Sequence, residues 1–318
     1  MDVLTGLLDG PRARNAFLLR SVLEPPWSLG IQDEAPLTLV AVLRGEAWVD
    51  LDDDSGPIHL GPGDVAVVRG PEPYVVADAP GRSPEILVHP GQRCTTLDGD
   101  DLHDAMSLGI RTWGNDPDGS TSMICGTYEA DGAVSDRLLA ALPRHLVISA
   151  GSSDERLVAL LAEEIACDDP GQQVMLDRLL DLLLVSTLRR WFSECEGTAP
   201  AWFRASGDPV VGPAVRLLHD DPARPWTVAS LAREVGVSRA ALARRFTTLM
   251  GEPPMAYLTT WRLALAADLL LEPGATVGSV ARRVGYASPF ALSAAFTRVR
   301  GVSPREHRAA VAASETTG

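Results

Sequence analysis

No lysine occurs anywhere in the 318 residues, so all 28 basic side chains are arginines. Any contact with an anion therefore falls to a planar guanidinium fork, which suits phosphate oxygens and guanine edges. Cysteine is scarce. Cys94, Cys125, Cys167 and Cys195 are far apart and form no CxxC pair, which removes the paired-cysteine elements of structural zinc sites and redox motifs. A long apolar run is missing as well: the strongest candidate, "LLDLLLVSTL", is broken by Asp181 and flanked by Arg178 and Arg189. It falls short of the roughly 20 residues needed to span a bilayer. With no charged and apolar leader pattern at the N-terminus, a cytoplasmic location and no membrane partner are expected.

Positive charge is also lacking overall, with a net charge of −14. Taken alone, that argues against a polyanion as partner. The average conceals two different halves. Residues 209–318 carry 13 arginines against eight acidic residues, whereas residues 1–208 carry 15 against 34. A chain of this length is expected to form two domains, each large enough for its own core.

What is present in the first half is a series of short β segments between Leu37 and Val88: "LTLVAVL", "EAWVDL", "GPIHL", "VAVVR", "YVVAD" and "EILVH", punctuated by Gly, Pro and Asp. Such spacing predicts an all-β sandwich or barrel, completed by Ser120 to Ala130. Two helical stretches follow, Asp154 to Cys167 and Gln172 to Phe192, divided by "DDPG", which predicts a helical hairpin. The second stretch is apolar over more than one face. Either it is buried within its own domain or it holds a subunit interface. Residues 196–210, rich in Gly, Ala, Ser and Pro, are expected to be a linker, and residues 311–318 a flexible tail.

From Pro213 onward the periodicity is helical, and one plan occurs twice. In "LAREVGVSRAALARRF" an amphipathic run containing Leu231 and Ala232 meets Gly236, then Ser238 opens a second run with Leu242 and Phe246 inward. In "VARRVGYASPFALSAAF" the same parts are Val280 and Ala281, Gly285, Ser288, Leu292 and Phe296. This is the helix-turn-helix pattern, whose second helix lies in the DNA major groove. A helix from about Pro254 to Leu271 separates the copies. Two recognition helices on one connector could then enter successive major grooves, roughly 34 Å apart.

If Leu242 and Phe246 face the core, the outward positions of the first recognition helix are Arg239, Ala240, Ala243 and Arg244, with Ser238 as cap. Arg244 is the leading candidate for a bidentate guanine contact. The second helix presents Pro289, Phe290, Ser293 and Ala294 behind Ser288. It lacks arginine where the first has it, so reading by methyl contact, hydroxyl bonds and shape is expected. Arg282, Arg283, Arg298, Arg300, Arg305 and Arg308 are candidates for phosphate contacts.

These stretches, with the connector "GEPPMAYLTTWRLALAADLL" and the ending "VGYASPFALSAAFTRVRGVSPREHR", resemble the DNA-binding domain of AraC/XylS-family transcription regulators. Leu60, Pro62, Gly63 and Asp64 in "HLGPGDVAVVRGPEPYVV" resemble the second motif of cupins. Together the resemblances imply an α+β multidomain chain: a cupin-like (cupin_6 type) domain over 1–150, a dimerisation hairpin over 151–195, and a DNA-binding domain over 211–310. They imply a double-stranded operator, a homodimer and RNA polymerase as partners, with activation favoured over repression. The cupin pattern is incomplete. "RGEAWVDLDDD" has no histidine, and Tyr74 stands where a metal-binding histidine would be expected, so the usual cupin metal centre is not expected.

Two readings of the first domain stay open. Trp48 and Tyr74 are candidates to line a pocket for a small organic effector. His89, Cys94 and Cys125, with His103 nearby, are candidates for a zinc or thiol-switch site. The alternative from another class is a cupin-type metal-dependent enzyme with an accessory helical domain, which would need about three converging ligands.

Overall fold

The computed structural model describes residues 17–128, 138–151, 154–194 and 199–315. Cys195 and the first part of the expected linker lie outside them. The chain divides into two compact units, one carrying the sheets and the first two helices, the other carrying the helices from Ala201 onward.

The first unit is built from thirteen strands among the described residues: β1 (Phe17–Leu23), β2 (Ser28–Ile31), β3 (Leu37–Arg44), β4 (Ala47–Asp50), β5 (Ile58–Leu60), β6 (Val65–Arg69), β7 (Tyr74–Ala77), β8 (Ile86–Val88), β9 (Cys94–Thr96), β10 (Ser107–Gly109), β11 (Thr112–Gly114), β12 (Thr121–Tyr128) and β13 (His145–Ile148). They form a seven-stranded sheet, β10-β11-β1-β12-β3-β6-β13, and a six-stranded sheet, β5-β4-β7-β2-β8-β9. One apolar core is shared by both. Val40, Val42, Val68 and Met123 enter it from the larger sheet, and Leu29, Val49, Leu60 and Val76 from the smaller.

The Pro-Gly-Asp motif works as a turn lock. Gly63 takes a φ of +84°, a conformation that glycine adopts without steric penalty. The Asp64 carboxylate accepts from Gly61 N at 2.8 Å and from Ala150 N at 2.8 Å, so it ties the β5–β6 turn to the end of β13.

Helices α1 (Asp154–Glu164) and α2 (Gln172–Glu194) form the expected hairpin and pack on the larger sheet. Gly126 permits the close approach: a Cβ there would lie 2.7 Å from the Leu180 side chain. The Tyr128 hydroxyl donates to the Leu180 carbonyl at 2.8 Å. Because β3 has the core on one face and helices on the other, Leu37 to Val42 are buried without alternation, as expected for a strand covered twice.

The second unit is all-helical: α3 (Ala201–Ser206), α4 (Val211–Asp220), α5 (Val228–Glu234), α6 (Arg239–Met250), α7 (Pro254–Leu271), α8 (Val277–Arg283), α9 (Pro289–Arg300) and α10 (Pro304–Glu315). Two boundaries need correction. The expected linker contains α3, which packs against α4 and α6 with Ala205 buried; alanine and arginine in "AWFRAS" favour a helix once one face finds a partner. The expected tail is helical as far as Glu315, continuing an alanine-rich run.

Candidate nucleic-acid interface and N-terminal cavity

Each helix-turn-helix is assembled by the same local chemistry. In the first, Thr227 Oγ1 accepts from Ser230 N at 3.0 Å while Ser230 Oγ accepts from Thr227 N at 2.9 Å. Thr276 and Ser279 reproduce this reciprocal capping box at 3.0 Å and 3.0 Å. Gly236 and Gly285 turn the chain at φ of +73° and +81°. The recognition helices then open on Ser238, whose hydroxyl accepts from Ala241 N at 3.2 Å, and Ser288, whose hydroxyl accepts from Ala291 N at 3.1 Å. Side-chain oxygens thus satisfy backbone donors that a helix start leaves unpaired. Both helices end on left-handed glycines, Gly251 and Gly301. The second turn is one residue longer, Tyr286 and Ala287 standing where the first has only Val237.

Leu242 and Phe246 are buried in the first copy, and Leu292, Ala295 and Phe296 in the second. The opposite faces are therefore open. Ser238, Arg239, Ala240 and Arg244 are exposed, with Ala243 half-buried between them. Pro289, Phe290 and Arg298 are exposed, and Ser288 and Ser293 half-buried. Phe290 is 86 % exposed, more than any other large apolar side chain among the described residues.

The arginines divide into two groups. Arg245 pairs with Asp208 (Nη2–Oδ2 2.7 Å), Arg283 with Glu272 and Arg224 with Glu234 (2.6 Å). Arg308 donates to the Ala275 carbonyl, and Arg300 lies over the Phe296 ring. Arg239, Arg244, Arg282, Arg298 and Arg305 are exposed and make no ion pair with any described residue. The expectation of phosphate contacts is thus narrowed: Arg283, Arg300 and Arg308 have structural duties. Burial pushes the Asp208 carboxyl up, but bonds from Val211 N, Arg245 and Val210 N outweigh it and hold it below the usual range.

The copies are joined by more than α7, whose 18 residues span about 27 Å. Arg262, on that helix, donates to the Pro222 carbonyl at 2.6 Å and the Arg224 carbonyl at 2.8 Å. Gly285 of the second copy sits against Ala223 of the same loop. The loop that leads into the first copy is clamped between the connector and the second turn. Sequence periodicity carries no signal for this clamp, since neither Arg262 nor Ala223 belongs to a repeating pattern.

A helix-turn-helix domain model matches residues 231–310, and a cupin model matches residues 2–193. An AraC-like transcription regulator of Streptomyces lividans is 31 % identical over 97 % of this chain and 98 % of its own. The chain belongs to the AraC-like transcription regulators. The HTH-type transcriptional regulator AlkR of Acinetobacter baylyi is 27 % identical over 97 % of this chain and 99 % of its own. Among solved structures, the DNA-binding domain of AdpA, in complex with a target DNA, is 35 % identical over 35 % of this chain and all of its own, with a TM-score of 0.33. This AraC-like regulator binds DNA and is not an enzyme. Among its described residues no helix is long and apolar enough to cross a membrane.

Between its two sheets the regulator holds a cavity of about 60 Å³. Tyr74 lines it. Trp48 does not. Along β4, Ala47 and Val49 face the core, so the period of two turns Trp48 outward, where its ring lies 4.8 Å from that of His59.

The metal and thiol candidates also part company. Cys94 and Cys125 both line the cavity, but His89 does not. The His89 ring instead meets Thr95 Oγ1 at 2.9 Å and Gln32 Nε2 at 3.2 Å, and His103 is exposed. No group of three or more His, Cys, Asp or Glu positioned for a metal occurs among the described residues. The zinc expectation is corrected accordingly, because both ring nitrogens of His89 already have partners.

The thiol-switch expectation meets a different obstacle. Burial, then the nearby Asp101 charge, pushes the Cys94 thiol up to about 11. Burial and Asp33 push Cys125 up to about 12 against a lowering bond from Ser21. Thiolate is the reactive species, so both thiols are held in their less reactive form at neutral pH. Iodoacetamide at pH 7 is expected to label half-exposed Cys167 in the folded protein and to reach Cys94 and Cys125 only after denaturation. Peptide mass mapping with and without denaturant would decide; native labelling of Cys125 at the Cys167 rate would restore the switch.

Proposed function

We propose that this regulator reads a double-stranded operator through α6 and α9 together, and does so as a homodimer in the cytoplasm. The observation that carries the reading is the matched construction of two capped helices. Their first turns are solvent-exposed, and Arg239, Arg244 and Arg298 make no ion pair with any described residue. Arg239, Ala240, Ala243 and Arg244 meet bases or flanking phosphates in one major groove. Pro289, Phe290 and Ser293 face the next, and Arg298 holds phosphate. An acidic first half limits binding to random DNA by repulsion.

Dimerisation is assigned to the α1–α2 hairpin. Val174, Met175 and Leu182 are 62, 53 and 55 % exposed and recur at seven- and eight-residue spacing along α2, which places them on one helix face. The inter-sheet cavity is the place for a small effector, and the regulated step is activation through contact with RNA polymerase. By linkage, an effector that changes operator affinity must bind differently to the DNA-bound state.

The test is selection of bound sequences from a random duplex library, with the full chain and with residues 199–318. The fragment starts at 199 because α3 and Asp208 belong to the second unit. The expected result is paired half-sites for the full chain and single sites for the fragment. Single sites for both would remove the dimer, and no enrichment for either would remove the reading of α6 and α9.

A further inference from the structure

The cavity between the sheets is electrostatically one-sided. Its walls are apolar, with Leu29, Val40, Val76 and Met123 from the two sheets and aromatic surface from Phe17 and Trp113. Among the described lining residues there is no arginine and no histidine, and Asp33 is the one carboxylate. Tyr74, Cys94 and Cys125 stay protonated, each raised chiefly by burial. Asp33 makes no ion pair with any described residue. Its charge nevertheless reaches into the cavity, since it adds to the upward shift of both Tyr74 and Cys125.

The carboxylate is also held in place. Asp33 Oδ1 accepts from Ala35 N at 3.1 Å and Oδ2 accepts from Gln92 Nε2 at 2.9 Å. Each oxygen keeps a further lone pair for a ligand donor. A half-buried carboxylate beside an apolar cavity, paired with no cation among the described residues, leaves that end of the cavity negative. A ligand carboxylate or phosphate would meet repulsion there and no compensating cation. An ammonium would gain an ion pair of low solvent exposure, with aromatic faces nearby that favour cations further.

We infer that the cavity binds a small hydrophobic amine, its ammonium against Asp33 at the Gln92 end and its hydrocarbon portion among Leu29, Val76 and Met123. The cavity is on the scale of a few water molecules, so the ligand is compact. This inference rests on the effector-sensing role proposed above and adds the chemical class.

The experiment uses the full chain and three matched probes, n-propylamine, propan-1-ol and propanoate, at pH 7 with calorimetric titration and thermal melting. Propylamine is expected to bind saturably and raise the melting temperature of the first unit, propanol to bind about tenfold or more weakly, and propanoate not at all. Asp33→Asn should weaken propylamine about tenfold or more and leave propanol unchanged. Equal binding of propylamine and propanol to the unaltered protein would overturn the role of Asp33, as would tighter binding of propanoate. Failure of all three to bind would overturn the site itself. The comparison of probes on the unaltered chain stands even if Asp33→Asn folds poorly. Operator affinity measured in the same samples separates the two claims: Asp33-dependent amine binding with unchanged DNA affinity supports the site and removes effector sensing.

Discussion

Gly285→Ala is expected to lower the unfolding midpoint of the helical unit by roughly 10 to 20 °C, whereas Gly236→Ala, its counterpart in the first copy, lowers it by only about 5 °C. Both positions require a left-handed backbone, at φ of +81° and +73°, so each alanine carries the same conformational penalty of about 1 to 2 kcal/mol. They differ in what the new methyl meets. At Gly236 there is nothing within 4 Å. At Gly285 a Cβ would lie 2.6 Å from the Ala223 carbonyl oxygen, 2.7 Å from Ala223 Cα and 2.8 Å from Arg262 Nη2. Two of those atoms are backbone, and the third donates to the Arg224 carbonyl while Nε of the same guanidinium holds the Pro222 carbonyl. Relief requires moving the loop off the connector helix, which adds about 1 to 3 kcal/mol of overpacking. Circular-dichroism melts of residues 199–318 would check this; equal shifts for the two variants would mean that the loop is not clamped as described.

The contrast also shows what could be read from sequence and what could not. Everything generated by local chemistry was legible: two glycine turns, two serine caps, the connector from Pro254 to Leu271, and the inward Leu242, Phe246, Leu292 and Phe296. The Pro-Gly-Asp turn was legible for the same reason. Tertiary choices were not. Trp48 and Tyr74 look equivalent in a list of aromatics, yet strand parity sends one out and the other into the cavity. The strands before Leu37 carry no clean alternation, since β1 and β2 are buried irregularly on both faces. His89 and the cysteines share a neighbourhood, but hydrogen bonds to Thr95 and Gln32 decide what His89 does. Asp33 was not legible because a single acid in "IQDEAP" has no pattern; its place on the cavity wall, without an ion pair to any described residue, gives it meaning.

Three arginines on the recognition helices, alike in composition, differ in their surroundings. Arg244→Ala is expected to relax the preference at one base pair of the operator and to weaken the best site by roughly 1 to 3 kcal/mol. That is about a 5- to 150-fold loss of affinity. Arg244 is exposed in the second turn of α6, on the face opposite Leu242 and Phe246, and makes no ion pair with any described residue. Its neighbour Arg245 is tied to Asp208 by bonds of 2.8 and 2.7 Å, so Arg245→Ala should loosen the join between α3, α4 and α6 and leave base preference intact. Arg298 lies late in α9, beyond the turns that reach base edges. Arg298→Ala should therefore weaken all sequences alike and reduce the salt dependence of binding by about one phosphate contact. Library selection combined with salt titration distinguishes the three. An unchanged selected sequence for Arg244→Ala would mean that α6 enters the groove on a different face, because no other unpaired arginine lies in its second turn.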